Sequence, residues 1–356
     1  MSGRKRVLPS EEADMTILVL NAGSSTLKFA AFAQTDGLTL RFKDQVQGAG
    51  STALEALFAR LAREGIAARD LAGVGHRIVH GGTEFSRPLV VDDAIEAKLN
   101  ALRPLAPLHQ PYGLDALRAM REHAPLVPQV ACFDTAFHMT QPEIAARFPL
   151  ASSYFERGYR RYGFHGLNYE HVVQALPIET GAPLPRRLLI AHLGNGASLC
   201  AVKDGKSVAT TMGYSTLDGL IMGTRPGAID PGLILAIMKD DGLSPEQMEQ
   251  VLYKESGLLA LSGLTSDMKS LLDSEAPEAR AAVEAYCYWA ARQAASLIAA
   301  MGGIDAMVFT GGIGENAKPV RDLVVNHLSW INAFPMHIVL ANEELVIARH
   351  TSILLT

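Results

Sequence analysis

The sequence predicts an α/β protein made of two similar halves. An apolar run at residues 16–20, a turn at residues 21–25 and an alternating run from Leu27 to Phe32 read as strand, turn and strand. About half of the 356-residue chain later, residues 187–193, 194–198 and 199–203 repeat that order. A third apolar run, residues 306–310, ends in the glycine-rich segment 311–316. Strands that alternate with helical patterns are typical of the α/β class.

Three helices have recognisable ends. Asp230-Pro231 and Ser244-Pro245 each place an N-cap residue before a proline, which favours a helix start. The alanine-rich segment 277–301 stops at Gly302-Gly303 and predicts one long helix.

Length and composition exclude several classes of protein. A chain of 356 residues suits two domains, and a net charge of −5 gives no electrostatic footprint for nucleic acid. No stretch approaches the roughly 18 apolar residues of a membrane span. Residues 1–14 carry basic and then acidic residues with no apolar region, which predicts a disordered tail, with Met15 as an alternative start. Three cysteines without ligand spacing favour reduced thiols. We therefore expect a cytoplasmic protein that binds neither nucleic acid nor membrane.

The repeated glycine turns suggest a phosphate-binding role. Exposed backbone N–H groups can hold an anion, and Asn21 can reach a metal-bound water. A plain hairpin turn is the alternative for either copy. Because the turn recurs in both halves, a nucleotide held between them is the better interpretation.

Two arginines and one histidine stand beside glycines. Arg77 lies in GHRIVHGG and Arg225 in MGTRPG, and an arginine at the end of an apolar strand needs an anionic partner. An internal salt bridge to Asp134 or Asp230 is the alternative, and the presence of both arginines favours a ligand. His165, in RYGFHG before a predicted helix, suits an anion site.

Carboxylates follow two of the predicted strands. Asp134 ends a strand that carries few other polar groups, so we expect a role in the site. Glu343 and Glu344 follow the strand at residues 336–340, where solvated surface charge is the alternative. The residues alone do not separate these two glutamates.

Taken together, these motifs resemble the acetate kinase (acetokinase) family, a branch of the actin, hexokinase and Hsp70 superfamily. The resemblance extends from Ile17 to Arg349 through the Asn21 hairpin, GHRIVHGG (75–82), FDTAFH (133–138), RYGFHG (161–166), HLGNGASL (192–199), MGTRPGAIDPG (222–232) and FTGGIGEN (309–316). It implies a duplicated actin-like (ribonuclease H-like) ATPase fold, with two domains around a nucleotide cleft. We expect an N-terminal domain at 15–135, completed by 342–356, and a C-terminal nucleotide-binding domain at 136–341.

The resemblance also implies Mg²⁺-dependent phosphoryl transfer between ATP and acetate, giving ADP and acetyl phosphate, in a homodimer, with Mn²⁺ as the alternative ion. The implied catalytic residues are Asp134, His165 and Arg225, and the implied metal ligands are Asn21 and Glu343. Acetate would contact Arg77, Val79, Leu108, Phe164 and Thr216. Nucleotide would contact His192, Leu193, Gly194, Asn195, Gly196, Asp267, Met268, Lys269, Gly312, Ile313, Gly314, Glu315 and Asn316.

This chain departs from the family pattern in three respects. The segments before Arg77 and after Asn316 are shorter than usual, Thr216 stands where proline is usual, and Lys269 replaces an arginine. A propionate or other short-chain fatty acid kinase is therefore an alternative. A non-catalytic ATP-dependent switch is a second alternative, which the paired arginines disfavour. Because a carboxylate acceptor is deprotonated at neutral pH, we expect Asp134 to orient Arg77 or the metal shell and not to act as a base.

Overall fold

The structure is a computed structural model that describes residues 15–23, 26–35, 37–48, 51–107 and 109–356. The expected tail at residues 1–14 and the expected acetate contact Leu108 lie outside these ranges. The chain divides into two compact units. The first contains the described residues up to Ile78, together with 87–132 and 344–356, and the second contains 79–86 and 133–343.

Within the described residues the chain forms eleven strands and fourteen α-helices. The strands are β1 (Thr16–Ala22), β2 (Thr26–Gln34), β3 (Leu38–Gln47), β4 (Leu71–Ile78), β5 (Leu89–Val90), β6 (Gln129–Phe133), β7 (Arg187–Leu193), β8 (Ala197–Lys203), β9 (Lys206–Thr210), β10 (Ala306–Thr310) and β11 (Met336–Ile338). The helices are α1 (Ser51–Arg63), α2 (Asp93–Ala101), α3 (Gln110–His123), α4 (Glu143–Ala146), α5 (Ser152–Glu156), α6 (Gly166–Thr180), α7 (Pro231–Asp240), α8 (Pro245–Lys254), α9 (Gly257–Ser262), α10 (Met268–Asp273), α11 (Pro277–Met301), α12 (Gly311–Asn316), α13 (Lys318–Asn326) and α14 (Glu343–Leu355).

The two units contain sheets with the same strand order. In the first unit the order is β3-β2-β1-β4-β6-β5, and in the second it is β9-β8-β7-β10-β11. In both, two antiparallel pairings come first, and the strand at the centre then pairs in parallel with β4 or with β10. The expected duplication of an α/β unit is therefore confirmed.

Both predicted hairpins are present. Asn21 is paired with Lys28 at the end of β1, and Leu193 is paired with Ala197 where β7 turns into β8. Leu27 and Phe29 of β2 belong to one buried hydrophobic cluster with residues of β1 and α1. The strands of the first hairpin are thus packed against a helix.

The predicted helix starts are also confirmed, whereas one predicted turn is wrong. Asp230 caps α7 through its side chain, and Ser244 and Gln247 form a capping box at α8. The segment 311–316, expected to be an open turn after β10, instead forms the short helix α12. The turn prediction was wrong because α12 begins directly after β10. Gly311, its first residue, adopts φ 78°, a conformation that glycine reaches at little cost. No helix in the described part of the chain has the length and apolar character needed to cross a bilayer.

Three histidines are enclosed by the cores and stay neutral. His76 lies on β4 beside Gln129, whose Oε1 is 2.7 Å from His76 Nε2. His80 and His138 lie in the second unit. Desolvation by burial lowers the pKa of His76, His80 and His138 to about 4.

The lowered pKa values of these three histidines predict that the folded protein loses stability in acid. Between pH 4 and 6.5 the unfolded chain binds more protons than the folded chain, so stability rises with pH across that window. Each histidine contributes at most about 1.4 kcal/mol per pH unit. In urea unfolding, His76→Gln should therefore show a shallower dependence of the unfolding free energy on pH than the wild type. His327→Gln, at an exposed histidine, should keep the wild-type slope, and an unchanged slope in His76→Gln would contradict the assignment.

Candidate functional site

The second unit contains a cavity of about 1060 Å³ between α10, α12 and the turn after β7. This volume is at the upper end of the range for small-molecule sites and is large enough for a nucleotide. Its lining residues are Gly194, Asn195, Ser266, Asp267, Met268, Lys269, Leu272, Asp273, Gly312, Ile313, Asn316, Ala317 and Pro319. Eight of the residues expected to contact nucleotide are therefore brought together in one cavity from three distant segments.

The other five expected nucleotide contacts lie elsewhere in this unit. Leu193 and Gly314 are buried, and the Glu315 carboxylate accepts hydrogen bonds from the backbone N–H groups of Gly311 and Ala341. His192 stacks on His165, with ring centroids 4.1 Å apart. The fifth, Gly196, adjoins His165 and Arg225. These five residues do not line the cavity.

His165 and Arg225 converge over the turn at residues 194–196. A Cβ atom added at Gly196 would lie 2.7 Å from Arg225 Nη2 and 3.5 Å from His165 Nε2. Only glycine leaves room for both side chains at this point. The Arg225 guanidinium and the His165 Nε2 atom therefore face the same small volume next to Asn195, which lines the cavity.

The backbone around His165 explains how its ring reaches that point. His165 has φ 60° and ψ 22°, the left-handed conformation, and it is the N-cap of α6. The next N–H, that of Gly166, donates to the carbonyl of Asp134 at 2.9 Å. A Cβ at Gly166 would lie 2.1 Å from that carbonyl oxygen, so this close approach requires glycine. Asp134 itself is fully buried at the end of β6.

Arg225 has no carboxylate partner among the described residues. Its Nη1 donates to the backbone carbonyl of Thr216 at 2.8 Å. Asp230, the expected alternative partner, instead accepts from the N–H groups of Gly232 and Leu233 and caps α7. Desolvation lowers the pKa of Arg225 to about 10, so the guanidinium remains charged at neutral pH. A desolvated cation without an internal counter-ion is an anion-binding group.

A chain of buried hydroxyls holds the other side of the His165 ring. Ser198 Oγ lies 2.8 Å from His165 Nδ1 and 2.5 Å from the hydroxyl oxygen of Tyr169. Ser198 and Tyr169 have no exposed surface. On the stacked ring, Asn168 Nδ2 donates to His192 Nδ1 and to Thr310 Oγ1. The Nδ1 atoms of both imidazoles are thus bound from the protein interior.

A second buried histidine supports the same loop. His138 Nε2 donates to the carbonyl of Phe164, and His138 Nδ1 accepts from Ser207 Oγ at 2.9 Å. Because a carbonyl can only accept, the proton of this neutral ring is on Nε2. His138 therefore fixes the peptide directly before His165.

Three of the residues expected to contact acetate are in the second unit and are buried. They are Val79, Phe164 and Thr216, with exposed fractions of 4%, 1% and 8%. The His80 ring packs edge-on against Phe164. The backbone carbonyl of Thr216 accepts the hydrogen bond from Arg225 Nη1.

A separate polar cluster lies in the first unit. Arg77 Nη1 donates to Asn21 Oδ1 at 3.2 Å, and Asn21 Nδ2 donates to Glu344 Oε1 at 3.4 Å. Lys43 Nζ pairs with the other Glu344 oxygen at 2.8 Å. The Glu344 carboxylate therefore lies beside both Asn21 and Lys43. Glu343, the expected metal ligand, is the partly buried first residue of α14 and is the last residue of the second unit.

The donor set of this cluster suits a hard cation. Asn21 Oδ1 and the Glu344 carboxylate supply oxygen, and Mg²⁺ characteristically takes only one or two protein oxygens beside water and phosphate. In the described part of the chain no three His, Cys, Asp or Glu side chains form a metal-binding group. Asn21 and Glu344 thus offer the oxygen donors that Mg²⁺ prefers, and water would complete the coordination of the ion.

Comparisons with known proteins identify the family of this chain. A model of the acetokinase family matches residues 43–342. The acetate kinase of Nitrobacter hamburgensis is 40% identical over 388 aligned positions, which cover 96% of each chain. That of Rhodopseudomonas palustris is 42% identical over 344 positions, covering 88% of this chain and 86% of the relative. Because 388 positions exceed the 356 residues of this chain, the Nitrobacter protein contains segments that are absent here.

Solved structures give the same result. The crystal structure of Porphyromonas gingivalis acetate kinase matches with a TM-score of 0.85 and 30% identity, covering 96% of this chain and 100% of that one. A propionate kinase from Francisella tularensis matches with a TM-score of 0.87, 33% identity and the same coverage. This chain belongs to the acetokinase family and has the duplicated actin-like ATPase fold that its sequence predicts.

Proposed function

We propose that this protein is an acetate kinase, which transfers the γ-phosphoryl group of ATP to acetate and catalyses the reverse reaction equally. The observation that carries the proposal is the uncompensated cation of Arg225 beside His165 Nε2, over Gly196 and next to the cavity. An anion with several oxygens fits two such donors. Membership of the acetokinase family supports the assignment of that anion as the phosphoryl group in transfer.

The chemistry needs charge stabilisation and positioning. An acetate oxygen forms a bond to the γ-phosphorus while the bond from that phosphorus to the β,γ-bridging oxygen breaks, and ADP leaves. No proton moves, because acetate is already ionised at neutral pH. Arg225 and His165 donate to the equatorial oxygens, where charge is greatest in the transition state.

The remaining assignments follow the family pattern and the local contacts. Nucleotide occupies the cavity, where Lys269 and Asp267 stand at its rim and Asp267 caps α10. Asn21 and the carboxylate of Glu343 or Glu344 would bind Mg²⁺, with Mn²⁺ as a substitute. The bound ion would neutralise part of the phosphate charge. Arg77 binds the acetate carboxylate, and Asp134 orients it or the metal shell.

Trapping with hydroxylamine tests the proposed reaction. Protein, Mg-ATP, acetate and hydroxylamine should yield acetyl hydroxamate in proportion to the enzyme. An ATP-dependent switch protein would give none above background, and that result would overturn the proposal.

We further propose a cytoplasmic homodimer. ATP and ADP are cytoplasmic substrates, and the described cysteines Cys132, Cys200 and Cys287 are buried free thiols. Helix α7 has an apolar sequence yet no buried residue, and Leu233 and Leu235 are 49% and 68% exposed. A second copy of the chain that covers α7 would remove this apolar surface from water.

The first prediction concerns the two donors. If His165 and Arg225 act mainly on the transition state, His165→Ala and Arg225→Ala should each lower kcat by about 10²–10³, with a much smaller change in KM for ATP. Steady-state kinetics measures both. Retention of more than about a third of wild-type kcat by either variant would remove its assigned role.

The second prediction is the order of acyl substrates. The family pattern assigns Val79 and Phe164 to the methyl group of acetate, and both side chains are buried. We therefore expect a pocket with room for little beyond a methyl group. An apolar pocket discriminates by about 1–3 kcal/mol per methylene, so kcat/KM should fall from acetate to propionate by about 10-fold or more, with butyrate far lower. A panel of the three acids checks this order. Propionate at or above acetate would identify a propionate kinase instead.

The third prediction is dimer contact through α7. Leu235→Glu places a charge on the proposed interface and should shift the protein from dimer to monomer in light scattering coupled to size-exclusion chromatography. Leu126→Glu, at a residue 96% exposed in the first unit, is the matched control and should remain dimeric. A dimeric Leu235→Glu would place the interface elsewhere.

A further inference from the structure

Ser198 contacts His165 from within the core of the second unit, on the side away from Arg225. It lies on β8, has no exposed surface, and sits between His165 Nδ1 and the Tyr169 hydroxyl. None of its own atoms faces the cavity described above. Ser198 is therefore placed to act on His165 alone.

The direction of the hydrogen bonds follows from counting donors. The Tyr169 hydroxyl is buried, and burial raises the pKa of Tyr169 well above its usual value, so it keeps its proton. Its hydrogen-bond partner in the described structure is Ser198 Oγ. If Ser198 donated to Tyr169, the phenol proton would be left without an acceptor, at a cost of about 1–3 kcal/mol.

Tyr169 therefore donates to Ser198, and the Ser198 proton goes to His165. A hydroxyl that donates to Nδ1 requires that nitrogen to be unprotonated. The proton of the neutral imidazole is then on Nε2, the atom 3.5 Å from the Cβ position at Gly196. The same unit contains a parallel case, since the Cys200 thiol donates to Ser207, Ser207 to His138 Nδ1, and His138 Nε2 to a carbonyl.

We propose that Ser198 is a positioning residue that, oriented by Tyr169, fixes His165 as the Nε2–H tautomer so that its only N–H faces Arg225. The kinetic part rests on the proposed function, since it assumes that His165 donates to a phosphoryl oxygen. The tautomer itself is a property of the folded protein and is independent of that assumption.

Nitrogen-15 NMR of histidine-labelled protein tests the tautomer directly, with His165→Gln used to assign the resonances. The wild type should show His165 protonated on Nε2. Ser198→Ala should give a mixture of the two tautomers and lower kcat by about 10- to 100-fold with little change in KM for ATP, as expected when an orienting partner is lost. Ser198→Ala that keeps a pure Nε2–H tautomer would overturn the proposal.

Two further variants separate this role from simple loss of a buried hydrogen bond. In Tyr169→Phe, Ser198 Oγ no longer accepts the phenol proton, so it can either donate to His165 Nδ1 or accept from it, and a mixture of the two tautomers should appear. Ser207→Ala removes an equally buried serine that is bonded to a different histidine, and it should lower thermal stability without changing the His165 tautomer. A pure Nε2–H tautomer in Tyr169→Phe would overturn the orienting role of Tyr169, and a tautomer change in Ser207→Ala as large as that in Ser198→Ala would overturn the proposal.

These outcomes distinguish failure of the tautomer proposal from failure of the proposed function. A mixed tautomer with unchanged kcat in Ser198→Ala would support the positioning of the proton and remove His165 from the proposed reaction. If Ser198→Ala is too unstable to study, the double variant Ser198→Ala with Tyr169→Phe also removes the Tyr169 hydroxyl, which would otherwise be buried without a hydrogen-bond partner. The double variant should recover stability and still show a mixture of the two His165 tautomers. A pure Nε2–H tautomer in that double variant would refute the proposal.

Discussion

His165 holds a left-handed backbone conformation at the point where α6 begins, and the site in the second unit is arranged around that residue. A non-glycine residue at φ 60° costs about 1–2 kcal/mol and persists only when its surroundings fix it. Three buried contacts do so: the Asp134 carbonyl accepts from Gly166, His138 holds the Phe164 carbonyl, and Ser198 holds the ring. Without the left-handed turn, α6 would start in another direction and the imidazole would not meet Arg225.

Much of this could be predicted from the sequence, because it depends on local pattern. The apolar runs identified the strands, Asp230 and Ser244 identified helix starts, and glycine-flanked Arg225 and His165 indicated an anion site. The segment 311–316 was the local failure, since six residues rich in glycine indicate a turn, and the sequence does not reveal that Gly311 reverses the chain into a helix. In each case the outcome followed from backbone conformation over a few residues.

What could not be predicted depends on pairings between distant residues. Ser198 and His165 are 33 positions apart, and neither the serine nor Tyr169 carries any sequence signal of a shared hydrogen bond. Adjacent glutamates pose the same problem: the packing of α14 in the first unit is what places Glu344 within hydrogen-bond distance of Asn21. The partner of Arg225 was likewise undecided until Asp230 was seen to cap its own helix.

The energetics of Arg225 connect the fold with the reaction. Desolvation makes the charged guanidinium less stable than in water, as its lowered pKa of about 10 records, and no carboxylate in the described chain offsets that cost. An anion bound there relieves the cost, so ligand affinity and folding stability are linked through this one side chain. The same low-polarity surroundings strengthen its attraction for charge that develops on phosphoryl oxygens, since Coulomb energies grow as the effective dielectric falls. In the tautomer that we propose, His165 is neutral and donates a hydrogen bond beside Arg225 without adding a second desolvated cation. In the proposed reaction, one fixed charge and one oriented neutral donor would therefore stabilise the transition state at a lower desolvation cost than two cations would.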